Sequence, residues 1–179
     1  IGSTGGPAIR FAKGSRPWYQ DAMDSAGTRV RAELRATDCS QIETWAADSG
    51  WEIDYQQVGC GAYEARLDAV QHGSVIATSE VHNLAGAAWG TPARGTVSLF
   101  MSVSSAPLSF RASVLGDAEA GFLHAGDELA ASFGPTGCRV LAITMSRRDI
   151  VDALASWGHE PDEVLSLRGT MRMDPSRRR

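Results

Sequence analysis

Cysteine, lysine and long apolar runs are all scarce in this chain. The three cysteines, Cys39, Cys60 and Cys138, form no CxxC pair, which excludes a zinc knuckle and argues against a disulfide framework. Lys13 is the only lysine. No apolar run approaches the roughly 20 residues that a membrane helix needs, and the N-terminus lacks the apolar segment of a signal peptide. We therefore expect reduced thiols in a cytoplasmic protein that contacts no membrane.

Positive charge is also in short supply. The formal net charge is −4 and the pI is near 5.5, the wrong sign for a body that binds phosphate backbones by itself. Only the last residues, RMDPSRRR, are locally basic, and such short charge runs are usually just solvated. We expect residues 1–179 not to bind DNA specifically.

The motifs of common catalytic sites are missing as well. The chain has no G-x-S-x-G, no phosphate-binding glycine-rich loop between a strand and a helix, and no lysine-based motif. Acidic pairs such as Asp127 and Glu128 sit beside glycines, where turn and surface roles are usual. We therefore predict no catalytic residue, no cofactor and no enzymatic activity.

What the chain does have is a succession of short structural elements. Its 179 residues, 43% of them hydrophobic, fit one globular domain. Residues 1–28 are rich in Gly and Ser and are expected to be flexible. From Arg29, RVRAELRA alternates charged and apolar residues, which predicts a half-buried strand. TDCSQIETWAADSG predicts a helix that Asp38 caps and Gly50 ends.

Short strands then follow one another closely. Runs of five to ten residues are bounded by Gly, Pro, Ser or Asp, with a tight turn at His72 and Gly73. SRRDIVDALASWG predicts a last helix that Ser146 caps. The predicted fold is mainly β: a small antiparallel barrel or sandwich of about eight strands, with a preceding helix and a closing C-terminal helix.

The stretch HGSVIATSEVHN raises the question of a metal site. A strand rises about 3.3 Å per residue, so His72 and His82 lie roughly 30 Å apart on one strand and cannot share an ion. Glu80 and His82 point to the same face, but two ligands are too few. His124 could join them only through a particular fold-back of the chain. We predict no metal.

The order of these segments resembles the N-terminal cupin-like domain of AraC/XylS-type transcriptional regulators, over roughly residues 29–158. The resemblance lies in a Trp-led strand ending in Gln, a G-x-[FY]-x-[AG]-x-L strand, an E-x-[HR]-N segment and a glycine turn before the closing helix. These motifs fall at Trp51, Gln57, Gly61, Tyr63, Leu67, Glu80, His82, Asn83 and Gly126. In contrast to metal-binding cupins, the chain has no H-x-H pair.

The resemblance implies the effector-sensing and dimerisation domain of a bacterial regulator, with a homodimer and an unknown small-molecule effector as partners. DNA would be bound only through a helix-turn-helix domain that this chain lacks, and residues 159–179 would be the linker toward it. On this interpretation residues 1–179 are a piece of a longer regulator. The alternative is that they form a stand-alone sensory protein. Two other functions stay open: a metal-free cupin-like enzyme of the isomerase or cyclase type, and a purely structural or partner-binding β domain.

Side chains along a strand alternate between its two faces, which indicates the residues that could contact an effector inside a small barrel. Those expected to face inward, or to lie near a strand end or mouth, are Trp51, Tyr55, Tyr63, His82, Trp89, Leu99 and Met101. Plain core packing is the alternative for each apolar member. Glu80 and Arg66 lie on the opposite phase of their strands and are expected on the surface.

The closing helix supplies candidates for a dimer interface. The apolar stripe of this helix is wider than a single packing contact would cover. One edge of the stripe can therefore pack on the barrel and the other edge on a second subunit. The candidates are Ile150, Val151, Leu154 and Trp157. The alternative is that the whole stripe packs on its own barrel and the protein is monomeric.

Overall fold

The computed structural model describes residues 29–103, 106–116, 119–167 and 169–172. It begins with strand β1 (Arg29–Ala36). Ala32 and Ala36 are buried on one face of β1, and the charged side chains between them point to solvent. The predicted half-buried strand is therefore confirmed.

Helix α1 (Cys39–Asp48) follows β1 and begins at the predicted cap. The Asp38 carboxylate accepts a hydrogen bond from the backbone N–H of Gln41, at 3.2 Å, which satisfies one of the free donors of the first turn. The buried face of α1 carries Ile42 and Trp45. The helix contacts both β1 and the next strand, so it closes one side of the molecule.

The remaining strands form two antiparallel sheets that face each other as a sandwich. The seven-stranded sheet has the order β1, β3 (Ala65–His72), β4 (Val75–His82), β11 (Cys138–Ser146), β6 (Thr96–Ser102), β9 (Glu119–His124) and β12 (Gly169–Arg172). The five-stranded sheet has the order β2 (Glu52–Gln57), β5 (Gly86–Thr91), β10 (Leu129–Phe133), β7 (Leu108–Phe110) and β8 (Ser113–Leu115). Among the described strands no ladder joins the two sheets, so the fold is a sandwich rather than a closed barrel.

The mainly β, antiparallel class is as predicted, but the described residues contain twelve strands instead of about eight. Strand β5 was not predicted, because GAAWGT has few β-branched residues and reads as loop. The run LSFRASVLG is two strands, β7 and β8, separated by Arg111 and Ala112, which both have positive φ. The tight turn between β3 and β4 is present, with Gly73 at φ +57° in the left-handed region.

The predicted closing helix is α2 (Arg147–Ser156), which begins at its predicted cap, Ser146. The Ser146 hydroxyl accepts the backbone N–H of Asp149, and the Asp149 carboxylate accepts a hydrogen bond from Ser74 at the β3–β4 turn. Helix α2 lies on the outer face of the seven-stranded sheet, where Ile150 packs in a cluster with Val97 and Phe122.

The described helix and strand that follow α2 also pack on the seven-stranded sheet or belong to it. Helix α3 (Pro161–Leu165) buries Leu165 in the same outer cluster, and β12 pairs with β9. The ring Nε2 of His124 lies 2.9 Å from the carbonyl oxygen of Leu167. Helix α3 and β12 therefore pack on the same body as β9 and α2, and the domain boundary at residue 158 stays a prediction. None of the described helices is long and apolar enough to cross a membrane.

Candidate functional site

A cavity of about 110 Å³ lies between the two sheets, with α1 along one side. Its wall is mainly apolar, from both sheets and the helix. The apolar lining residues are Ile42, Trp45, Ala46, Trp51, Ile53, Leu67, Ile76, Ala88, Phe100, Leu108, Leu123, Leu129, Ala131, Phe133, Val140 and Ala142. A largely apolar cavity with a few polar groups is the usual form of a small-molecule site.

One part of the cavity is polar and is built on β2 and β4. Tyr55 donates its hydroxyl hydrogen to Glu80 Oε2 at 3.1 Å, and His82 Nε2 lies 3.5 Å from the same oxygen. Glu80 and His82 are two residues apart on β4, so both point inward. The Tyr63 hydroxyl lies 2.7 Å from the other ring nitrogen of His82, Nδ1.

The hydrogen bonds of Tyr63 and His82 can run in one direction. If Tyr63 donates to His82 Nδ1, the imidazole can donate from Nε2 toward Glu80, as the hydrogen-bonding capacities of these groups allow. In this assignment the series ends on the Glu80 side chain.

Aromatic rings hold the His82 imidazole in place. Its centroid is 4.7 Å from that of Phe133 and 5.8 Å from that of Tyr55, which lies nearly parallel at 19°. The His82 side chain is 1% exposed and that of Glu80 is 20% exposed. The imidazole is therefore fixed, whereas the carboxylate keeps access to solvent or to a ligand.

Burial keeps the neighbouring acids protonated. It raises the pKa of the Cys138 thiol to about 12 and also raises the pKa of the Cys39 thiol. Burial, together with the charge of Glu80, raises the pKa of the Tyr55 and Tyr63 hydroxyls. A reactive cysteine needs the opposite shift. The raised pKa values keep these thiols and phenols protonated at neutral pH, and the Tyr55 hydroxyl donates a hydrogen bond to Glu80.

A second polar pair lies at Ser98 and Thr144, on the paired strands β6 and β11. Their hydroxyl oxygens are 2.8 Å apart and both side chains are buried against the cavity. Thr78 and Ser49 complete the polar lining. In the part of the chain that the structure describes, no Lys or Arg lines the cavity.

The structure brings together three of the predicted effector contacts and one residue that was predicted on the surface. Trp51, Tyr55 and His82 line the cavity. Tyr63 is buried but does not line it, and instead holds His82. Glu80, expected on the surface, lines the cavity, because β4 turns Ile76, Thr78, Glu80 and His82 to one face. Arg66 does lie outside and pairs with Asp68 at 2.9 Å.

Three of the predicted contacts point elsewhere. The inward direction expected for Leu99 and Met101 is wrong, because β6 turns Ser98 and Phe100 to the cavity. Leu99 packs instead against the outer cluster beneath α2. Trp89 is 40% exposed and lies on the outer face of β5, opposite Asp54 and Ala130.

The histidines do not converge. His72 and His82 stand at opposite ends of β3 and β4, and His124 faces the outer cluster beside Phe122. In the described ranges no group of three or more His, Cys, Asp or Glu residues could hold a metal ion. That the protein needs no metal stays a prediction.

The candidate interface residues divide into two sets. Ile150 is buried, and Val151 and Leu154 pack partly against the outer cluster of the same chain. Trp157, at the end of α2, is 73% exposed. The apolar stripe of α2 therefore packs mostly on its own sheet, and only the Trp157 end is open.

Comparison with known proteins relates this fold to one solved regulator. No protein-family profile matches the chain, and no curated protein matches it. The crystal structure of the AraC-like transcriptional activator CuxR is similar, with a TM-score of 0.51 and 14% identity over 72% of this chain. This similarity shows that the chain shares the fold of that part of the AraC-like activator. The resemblance predicted from the sequence is confirmed at the level of the fold.

The matched region spans about half, 52%, of the length of CuxR. Three structures of oxalate decarboxylase also match. One of them, from Bacillus subtilis, is 7% identical over 70% of this chain and 39% of that one, with a TM-score of 0.27. Another has a TM-score of 0.22 and 8% identity, over 55% of this chain and 38% of that one. Scores this low carry no argument about function.

Proposed function

We propose that this chain is the regulatory domain of an AraC-type transcriptional regulator, which binds a small-molecule effector between its two sheets. The observation that carries the proposal is the cavity, whose mainly apolar wall ends in the polar group of Tyr55, Glu80 and His82. The similarity of the fold to an AraC-like activator supports the regulator class. DNA binding would belong to a helix-turn-helix domain outside residues 1–179.

Ligand-dependent stabilisation tests this proposal. A ligand that binds only the folded state stabilises it by RT ln(1 + [L]/Kd), about 2.7 kcal/mol at a hundred times Kd. A library of small molecules screened by thermal unfolding should contain compounds that raise the melting temperature. The gain should be lost in Ala142→Leu, because residue 142 lines the cavity and a larger side chain would fill it. Stabilisation that survives this substitution would place the ligand elsewhere and contradict the proposal.

Dimerisation is the second part of the proposed function. The exposed Trp157 supports it, since a large apolar side chain at the end of a helix is a common contact in protein interfaces. A two-fold pair of such helix ends would cover both Trp157 side chains. The interface we propose is centred on Trp157 and not on the whole stripe of α2.

One observation favours an enzyme as the second candidate. His82 with Glu80 is a possible acid–base pair inside a cavity, as a metal-free isomerase would need. Against it, the pKa values of Tyr55, Tyr63 and Cys138 are all raised, which moves these groups away from proton transfer at neutral pH. A bound ligand recovered chemically unchanged after long incubation with the protein supports the sensor. Its conversion to an isomer would establish the enzyme.

A further inference from the structure

The cavity has an unbalanced set of charges. Among the described residues that line the cavity, Glu80 is the only carboxylate, and none of them is Lys or Arg. An anionic ligand would lose its hydration, find no positive side chain and meet a negative one. A cationic ligand would meet the carboxylate without competition from a lysine or an arginine in the wall.

Glu80 also has unused hydrogen-bonding capacity. The contacts from Tyr55 and His82 both go to Oε2. Within the described part of the chain, no hydrogen bond to Oε1 is present, although an ionised carboxylate accepts about four. The side chain is 20% exposed, so a donor can reach it.

The surroundings of this carboxylate suit a small cation with an apolar body. The rings of Tyr55 and Phe133 lie beside His82 in the cavity wall, Trp51 also lines the cavity, and aromatic faces attract cations. The cavity has a volume of about 110 Å³, which is smaller than an engineered cavity of about 150 Å³ that accepts benzene. The body of the ligand is therefore limited to a short branched chain or a small ring.

We propose that the cavity binds a small protonated amine, with its ammonium group on Glu80 and its apolar body among Phe133, Trp51 and Ala142. This inference rests on the proposed function and narrows its effector to one chemical class. It places Glu80 as the residue that selects the charge of the ligand. His82 and Tyr55 then act as positioning residues, because both contact Oε2 and leave Oε1 for the ligand.

Three probes of nearly equal shape separate the effect of charge from that of size. Isobutylamine, isobutanol and isobutyrate are titrated into the chain at neutral pH while NMR resonances of cavity residues such as Ala142 and Leu123 are followed. We expect isobutylamine to bind at least about tenfold more tightly than isobutyrate, since hydrogen bonds to charged groups contribute about 1.5–3 kcal/mol. Glu80→Gln should remove this preference and leave isobutanol binding unchanged. Glu52→Gln is the matched control, because Glu52 is exposed and lies on β2, in the other sheet.

The outcomes separate this inference from the proposed function. If isobutanol binds in the cavity but isobutyrate binds as tightly as the amine, the inference is wrong and the sensing cavity stands. The same holds if the amine keeps its preference in Glu80→Gln. If none of the three probes perturbs the cavity resonances of the folded chain, both the inference and the small-molecule cavity are overturned.

Discussion

The hydroxyl of Tyr63 lies 2.7 Å from Nδ1 of His82, and both side chains are buried. Tyr63 comes just before β3, and His82 is the last residue of β4. The bond therefore fixes, from outside the cavity, the imidazole that lines it. Because Tyr63 does not touch the cavity itself, its hydroxyl can be removed without changing the cavity lining.

Tyr63→Phe should lower the free energy of unfolding by about 1–3 kcal/mol, because it leaves a buried ring nitrogen without its partner. Urea denaturation measures this loss. Tyr55→Phe is the control: it removes a hydroxyl whose partner, Glu80, keeps access to water, so its cost should be smaller. Equal losses in the free energy of unfolding for the two variants would show that the Tyr63–His82 hydrogen bond stabilises the fold no more than the Tyr55–Glu80 bond does.

Alkaline pH should destabilise the protein through Cys138. Its pKa rises from the ordinary 9.0 to about 12 on folding, so the unfolded chain loses this proton first. The stability is complete below pH 9 and falls as the pH rises toward 12, by at most about 1.4 kcal/mol per pH unit from this group. Tyr55 and Tyr63, whose pKa values also rise on folding, add to the fall above pH 10.

Urea denaturation from pH 8 to pH 11 tests the contribution of Cys138. Cys138→Ala should flatten the dependence between pH 9 and pH 10, below the range in which Tyr55 and Tyr63 contribute. Cys60→Ala should leave the dependence unchanged, because Cys60 is exposed. Parallel curves for the wild type and Cys138→Ala would contradict the prediction.

Trp157→Ser should convert a dimer to a monomer and leave the fold intact. The side chain is 73% exposed in the single chain, so its removal costs little packing there. Sedimentation measures the mass at tens of micromolar. Val114→Ser is the control, since Val114 is 61% exposed and lies on β8, in the other sheet. A wild-type chain that sediments as a monomer ends the idea of a dimer. Leu154→Asp is a poorer test, because Leu154 packs on its own sheet.

Residues 1–179 should not select a DNA sequence. The net charge is −4, and any affinity from the few exposed arginines should fall steeply with salt and be blind to sequence. Electrophoretic retardation of promoter and random DNA at about 150 mM salt compares the two. Retardation of the promoter alone would overturn the assignment of DNA binding to another domain.

The sequence was sufficient to predict those helices and strands that have one exposed face or a clear boundary. Strand β1 alternates charge with Ala32 and Ala36, and both long helices begin at side-chain caps, Asp38 and Ser146. These signals are local, so the sequence displays them directly. The order of the strands in the two sheets depends on long-range pairing and was not predicted.

The sequence was insufficient where both faces of a strand are covered. In β6, Leu99 packs under α2 while Phe100 packs in the cavity, so hydrophobicity does not tell the inner face from the outer one. The predicted surface position of Glu80 was wrong for a different reason. A charged residue is assigned to the surface by default, and the cavity that Glu80 lines forms only when the two sheets pack together. The signal that could have found it was its shared face with His82.

The pairing of β12 with β9 also decides how the sheet ends. Without Gly169–Arg172, β9 would present a row of free backbone donors and acceptors beside Phe122, which is a template for a strand from another molecule. With it, the border is a four-residue strand whose Thr170 and Arg172 are exposed. Short, polar borders of this kind protect proteins from aggregating edge to edge. Chains shortened to end before residue 169 should therefore lose solubility before they lose the cavity.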